Sequence, residues 1–416
     1  MNRNILTEIK SEIGSLEGVI LHTPGKEVEN MNPMNAQRAL YSDILNLSVA
    51  LEEYKQLKGV LKKHSTVLEV KDLLEDILSN DKIKSDLIHK ICVNEKTTEI
   101  EGYLLGLDPQ KLAHSLIEGV ELKKNNLTNF LNPDRYILQP LHNFFFTRDS
   151  AISMGNNILI GTMKSQVRER ETIIMEAIFD YNTTFRTRTL NADRTGNADI
   201  KIEGGDILIA RDDIILIGNG CRTTSQGIDF ILDYYKKQKK KQHIIVQELP
   251  SSPESFIHLD MVFTLLSETQ CMVYAPLILK PTRYQTVHIE IDNGNVKIRS
   301  KENIISVLRE LGMELEPLFC GGRKDTYQQE REQWHSGANF FGLAPGKVIG
   351  YGRNSYTIEE LNKNNFDVIK ATDIMADKDC LKNHKKCVVT IEGSELSRGG
   401  GGCRCMTMPF KRKLAK

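Results

Sequence analysis

Four short segments, far apart in the chain, carry residue types that do chemistry in combination: Asn143-Phe-Phe-Phe-Thr-Arg-Asp149, Glu203-Gly-Gly-Asp206, His258-Leu-Asp260 and Ser397-Arg-Gly-Gly-Gly-Gly-Cys-Arg-Cys405-Met-Thr-Met-Pro409. In the last, four glycines lead into Cys403-Arg404-Cys405. Such a run permits positive φ and close backbone approach to a ligand, and a cysteine after it is a nucleophile when something lowers its pKa. Taken alone, the loop suits an inert buried thiol equally well, and a single C-x-C is a weak zinc signature. Two acids around Gly-Gly, set between predicted strands, could ligate a metal or simply close a hairpin. On a strand, His258 and Asp260 share one face, which suits a proton shuttle beside an acid that orients a cation. His–Asp pairs without catalysis are common on surfaces, however, and Arg148-Asp149 reads as readily as a buried ion pair.

The set has a chemical logic that its parts lack. Cys405 supplies a nucleophile, His258 an acid/base, and Asp149, Glu203 and Asp260 negative charge. That inventory fits a planar cation attacked at its central carbon, and guanidinium is the planar cation that carboxylates bind with matched geometry. The chain has no G-x-S-x-G, Walker loop, G-x-G-x-x-G after a strand or H-E-x-x-H, so hydride transfer, phosphoryl transfer and zinc proteolysis lack support.

The elements that must position these residues read as α/β. The 416 residues carry 55 basic and 55 acidic side chains, a balance that excludes a global attraction to nucleic acid or anionic membrane. Lys236–Lys241, with no aromatic interleaving, reads as a solvated helix end, and the basic tail Lys411–Lys413 with Lys416 is read likewise. No segment approaches the roughly 20 apolar residues of a membrane span. The first residues lack a signal-peptide run, so the eight cysteines read as reduced thiols in a cytoplasmic protein.

Gly18–Gly25, an apolar run closed by Pro24 and Gly25, predicts the first strand, about Asn35 to Lys63 a helix, and Val67–Val70 a strand. From Lys71 to about Leu127 only short helices are predicted, with Asp108-Pro109 as a good helix start. Strands then return, among them Asn157–Thr162, Ala198–Ile202, Asp206–Ala210, Asp213–Ile217, Lys241–Leu249 and Cys387–Thr390, with helices such as Glu169–Phe179 and Ser225–Tyr235 between them. The predicted division is 1–70 and 131–416 as one α/β body, with 71–130 a helical insertion.

In their order, these segments resemble arginine deiminases. The likeness also covers Ser11–Gly14, Leu21–Lys26, Arg168–Thr172, Cys221–Thr224, His258–Phe263, Glu330–Trp334, Ala344–Gly346 and Glu395–Pro409. The resemblance implies a pentein fold, a pseudo-fivefold α/β propeller of ββαβ-type units with an inserted helical domain. It implies Cys405 as nucleophile, His258 as acid/base paired with Glu203, and Asp149 and Asp260 as the grip on the guanidinium. Asn143, Arg168 and Arg222 fall on positions that hold the substrate's α-amino-acid end, and Asp206 on a structural partner. It further implies hydrolysis of free L-arginine to L-citrulline and ammonia, no metal or organic cofactor, and a homodimer or larger homo-oligomer.

Two positions depart from the family's usual pattern. Gly400 stands where an Arg that contacts the substrate or the site carboxylates is usual, and Thr23 replaces an Arg near the N-terminus. Cys403 also sits where Pro or Gly is usual, adding an oxidation liability. The departures leave two rival readings: another guanidino-modifying enzyme (an amidinotransferase or a hydrolase of substituted arginines), or a weakly active arginine-binding paralogue.

Overall fold

The computed structural model describes residues 4–32 and 43–413. Its organising feature is a trio of strands that recurs five times. In each, the first strand runs antiparallel to the second, and the second pairs in parallel with the third. The trios are Met408–Arg412, Leu16–Leu21 and Thr66–Glu69; Ala151–Met154, Asn157–Ile160 and Arg188–Asn191; Ile207–Arg211, Ile214–Asn219 and Gln242–Glu248; Phe263–Leu265, Gln270–Val273 and Glu316–Phe319; and Phe341–Ala344, Lys347–Tyr351 and Cys387–Ile391. A parallel return needs a crossover, and helices Leu47–His64, Glu169–Tyr181, Ser225–Gln238, Ile304–Glu310 and Ser355–Lys363 lie within the five crossovers. The third sheet is extended by the hairpin Thr286–Asp292 and Asn295–Lys301, and the fifth by Asp367–Lys370.

Helix Leu47–His64 shows why these segments fold as they do. The Asn46 side chain accepts from the amides of Ser48 and Val49, satisfying donors that a helix start leaves open. Ala50, Tyr54, Leu57 and Leu61 recur at helical spacing and are buried, while Lys62, Lys63 and His64 sit in the last turn, where the dipole favours cations. The predicted start of this helix near Asn35 lies outside the described residues, as does Lys416.

The stretch expected to be helical holds helices Val70–Leu78, Asp81–Glu95, Glu101–Leu105 and Pro109–Glu118. Asp108 caps the last of these by accepting from the Lys111 amide, with Pro109 in the first turn. One correction is a two-residue strand, Val120–Glu121, which pairs with Tyr136–Leu138. Leu74, Ile88, Ile91 and Leu116 from these helices share one apolar cluster with Ile160, Ile174, Ile178 and Phe410. The helices therefore pack into the sheet body and have no separate core. Among the described residues, no helix is long and apolar enough to cross a membrane. Lys236 and Lys237 occupy the last turn of helix Ser225–Gln238, as a solvated helix end requires.

One predicted strand is absent. Ala198–Ile202 makes only an isolated bridge between Ile202 and Thr162. His258-Leu-Asp260 is an extended residue followed by a 3-10 turn over Leu259–Met261, and the strand begins later, at Phe263. His258 and Asp260 therefore reach the site by a tight turn and not by alternation along a strand.

Candidate active site

The recurring trio explains how distant segments meet. Asp149 lies just before the first strand of the second trio, Glu203 and Asp206 before that of the third, and His258 and Asp260 before that of the fourth. Asn339 precedes the first strand of the fifth trio, and Cys405 that of the trio which joins the two ends of the chain. Equivalent ends of five similar units thus deliver their side chains to one place. A cavity of about 500 Å³ opens there, lined by Asn143, Asp149, Arg168, Arg222, His258 and Cys405, with Gly400 at its rim. Glu203 and Asp260 are fully buried behind these groups.

His258 Nε2 is 3.0 Å from Glu203 Oε2, and its Nδ1 is 3.7 Å from Asp149 Oδ1. Burial disfavours a charged imidazole, but Asp149 and the Glu203 hydrogen bond outweigh it and lift His258 to about 9. Burial would likewise raise Glu203, yet the bond from His258 and the Arg222 guanidinium, 3.6 Å away, hold it at about 2. The pair is therefore charged at neutral pH. Cys405 behaves oppositely: burial, then Asp260 and Asp149, push its thiol well above the usual range. The resting Cys405 side chain is therefore a thiol, and a cation entering between those acids would favour the thiolate.

Gly-Gly between Glu203 and Asp206 serves close packing more than chain reversal. A β-carbon on Gly205 would fall 2.4 Å from His258 Nδ1, and one on Gly204 2.0 Å from the Arg148 carbonyl oxygen. Asp206 Oδ1 accepts from the Leu259 amide at 2.9 Å, holding the His258 turn from behind.

Both candidate guanidinium-binding acids are already held by arginines on one oxygen. Arg168 Nη1 is 2.7 Å from Asp149 Oδ2, and Arg404 Nη1 is 2.8 Å from Asp260 Oδ2. Arg168 also donates to both oxygens of Glu171 and to the Asn143 and Phe146 carbonyls. The other oxygens, Asp149 Oδ1 and Asp260 Oδ1, are buried without a hydrogen-bond partner, as is His258 Nδ1. Gly400 adopts φ +82°, with open space around it.

Sequence reasoning missed Asn339, whose Nδ2 lies 3.3 Å from Cys405 Sγ, and Glu12, which accepts from Arg404. Ser11–Gly14 enters the sequence reading only as part of the family likeness, with no role for Glu12, and nothing in Gly-Ala-Asn-Phe marks Asn339 apart from its tertiary contacts. Asp149, Glu203 and His258 each offer a ligand atom within 4.8 Å of the others and could hold a metal ion. Arg168 and Arg222 stand against two of those three ligands, so positive charge is already supplied there and a dication would meet repulsion.

Comparison with solved structures gives the fold. The chain aligns with the N-terminal domain of ArgZ bound to substrate, an arginine dihydrolase from the cyanobacterial ornithine–ammonia cycle, at TM-score 0.53 and 14% identity over 95% of this chain and 98% of that one. It aligns with dimethylarginine dimethylaminohydrolase, as an adduct with S-methyl-L-thiocitrulline, at TM-score 0.50 and 13% identity over 95% and 100% of the two chains. This is the mixed α/β architecture of the pentein-fold, guanidino-modifying enzymes.

The family follows from the sequence. Residues 37–412 match the model of the arginine deiminase family. The chain is 32% identical to the arginine deiminases of Borrelia duttonii, over 97% of each chain, and of Bacillus cereus, over 97% of this chain and 98% of the other. It belongs to the arginine deiminase family, whose enzymes are hydrolases acting on amidines.

Proposed function

We propose that this chain hydrolyses free L-arginine to L-citrulline and ammonia through a covalent bond between Cys405 and the guanidinium carbon. The observation that carries the reading is the set of buried, unpartnered atoms around the cavity floor: Asp149 Oδ1, Asp260 Oδ1 and His258 Nδ1. A planar cation with N–H groups along its edges satisfies both acids, and leaving such acceptors unmade is costly.

In this reading the substrate's charge, held by Asp149 and Asp260, draws the proton from Cys405 to solvent. The thiolate attacks the guanidinium carbon and forms the C–S bond. Protonated His258 gives its proton to the departing nitrogen as the C–N bond breaks, and ammonia leaves. A thiouronium intermediate remains. Neutral His258 then takes a proton from water, the resulting hydroxide adds to the same carbon, and the C–S bond breaks to expel the thiolate while the adduct's hydroxyl proton passes to solvent, giving citrulline. Glu203 keeps the imidazole oriented and charged for the first half.

Asn143, Arg168 and Arg222 line the cavity and, in this reading, meet the substrate's α-amino-acid end. With no side chain at Gly400, recognition at that end is weaker than where an Arg stands, and this keeps a weakly active arginine-binding paralogue as the alternative. The proposal extends to a pseudo-fivefold propeller of the five strand trios, with 71–130 as the inserted helical domain between 1–70 and 131–416. It also extends to a cytoplasmic homodimer or larger homo-oligomer that needs no metal or cofactor and binds no nucleic acid. Eight free thiols support a reducing compartment.

Citrulline and ammonia released from L-arginine test the reading. Equal amounts are expected from the wild type and none from Cys405→Ala. Full turnover by the alanine variant, or transfer of the amidino group to an amine in place of hydrolysis, overturns it.

A further inference from the structure

We propose that Asn339 is a catalytic residue whose side-chain amide donates to the Cys405 sulfur and stabilises the thiolate. The inference rests on the reading of Cys405 as nucleophile and adds a residue to it. Asn339 Nδ2 lies 3.3 Å from Cys405 Sγ, and both side chains are buried.

The sulfur otherwise faces mainly acids, with the Gly402 backbone and the Arg404 guanidinium as the weaker opposing influences. Asp260 Oδ2 is 3.9 Å away, and Asp260 and Asp149 both oppose negative charge on Cys405. A cationic side chain there would favour the thiolate but repel a guanidinium substrate. A neutral amide supplies a donor without adding charge, which this site requires. It acts where the sulfur is negative, at the start of the first half-reaction and the end of the second, and a fixed donor in a dry site costs no reorganisation at those moments.

The amide is held in one orientation by its own bonds. Asn339 Oδ1 accepts from the backbone amides of Arg404 at 2.9 Å and Cys405 at 3.3 Å, so oxygen must face the backbone and nitrogen the sulfur. Nδ2 also donates to the Asp260 carbonyl at 3.2 Å. One carboxamide thus ties the nucleophile's backbone, its sulfur and the Asp260 turn together. The last glycine of the run makes room for it: a β-carbon on Gly402 would fall 2.5 Å from Asn339 Oδ1.

Asn339→Asp is the discriminating variant, because it keeps an oxygen toward the backbone amides and replaces the donor to sulfur with a second oxygen. The primary readout is the rate of Cys405 alkylation by iodoacetamide from pH 6 to 10, followed by mass spectrometry of the Cys405 peptide without substrate. We expect the variant to be alkylated about tenfold more slowly near pH 8. Its kcat should fall roughly 100-fold, as for loss of one preorganised donor, with KM changed less than about threefold. Asn339→Ala should show the same direction, and should it fail to fold, the isosteric Asp variant carries the test. Alkylation and kcat within about twofold of wild type in folded Asn339→Asp overturn the inference. So does a kcat loss with an unchanged alkylation profile, which is what mere misplacement gives. The two ideas fail separately: an active Cys405→Ala removes the nucleophile, whereas the alkylation profile, which needs no turnover, judges the amide.

Discussion

Arg404 Nη1 lies 2.8 Å from Asp260 Oδ2, while the same guanidinium reaches Glu12 through Nε and Nη2 at 3.1 and 3.0 Å. The residue beside Cys405 therefore joins Glu12 to a site carboxylate and leaves Asp260 Oδ1 without a hydrogen bond. Burial opposes the charge on Glu12, but Arg404 and Arg148 outweigh it and hold Glu12 at about 2. Arg404→Met removes the hydrogen-bonded counter-charge of two buried acids, leaving Asp260 uncompensated by it and Glu12 with only Arg148 and Arg412. The expected loss is about 3–5 kcal/mol in urea unfolding at pH 7, and a loss below about 1 kcal/mol would show that the clamp does not bear on stability.

The His258–Glu203 pair gives a pH signature. A base raised to about 9 contributes stability in full below its ordinary value of 6.5 and loses it as pH climbs through 9. An acid depressed to about 2 contributes in full above its ordinary 4.5 and loses it as pH falls through 2. The melting temperature should therefore decline on the alkaline side between about 6.5 and 9. Glu203→Gln removes the strongest hydrogen bond to the imidazolium and should shift that decline, and the alkaline loss of kcat, to lower pH. Superimposable alkaline limbs in the two proteins would refute the assignment.

Gly400→Arg restores the side chain usual at this position in the family. The space is open, but φ +82° strains any L side chain, at a cost of roughly 1–2 kcal/mol. Arginine KM should fall several-fold while the melting temperature drops by a few degrees. An unchanged KM would mean that the lost Arg does not limit binding here.

Glu53, buried on helix Leu47–His64, accepts from the amides of Ser394, Glu395 and Leu396 and from the Ser394 hydroxyl. It thereby fixes the start of the glycine-rich loop. Glu53→Gln sets an NH₂ against those donors and should cost about 2–3 kcal/mol. Hydrogen exchange at Ser394–Leu396 should quicken and kcat/KM should fall. Exchange at the wild-type rate would place the anchor elsewhere.

Legibility followed the range of the forces involved. Helix Leu47–His64 and the buried strands declare themselves because local spacing alone sets which face is apolar. Asn295–Lys301 escaped notice because it is an edge strand with polar residues at most positions and Ile298 exposed. Met408–Arg412 did so because Pro409, Lys411 and Arg412 interrupt any apolar run. The five trios share pairing geometry and not letters, so no repeat is visible in the sequence. At the site, the acids, His258 and Cys405 were legible as chemistry, and the tertiary structure brings them together. What lay beyond reading was support: Asn339 and Glu12 gain their roles from partners 66 and 392 residues away.

Strand Leu16–Leu21 waits for Met408–Arg412 to complete its sheet, and Cys405 stands just ahead of that late arrival. Seating that strand is therefore the same folding event that carries the Cys405 sulfur to Asp149 and Asp260, so whatever loosens the seam also loosens the site.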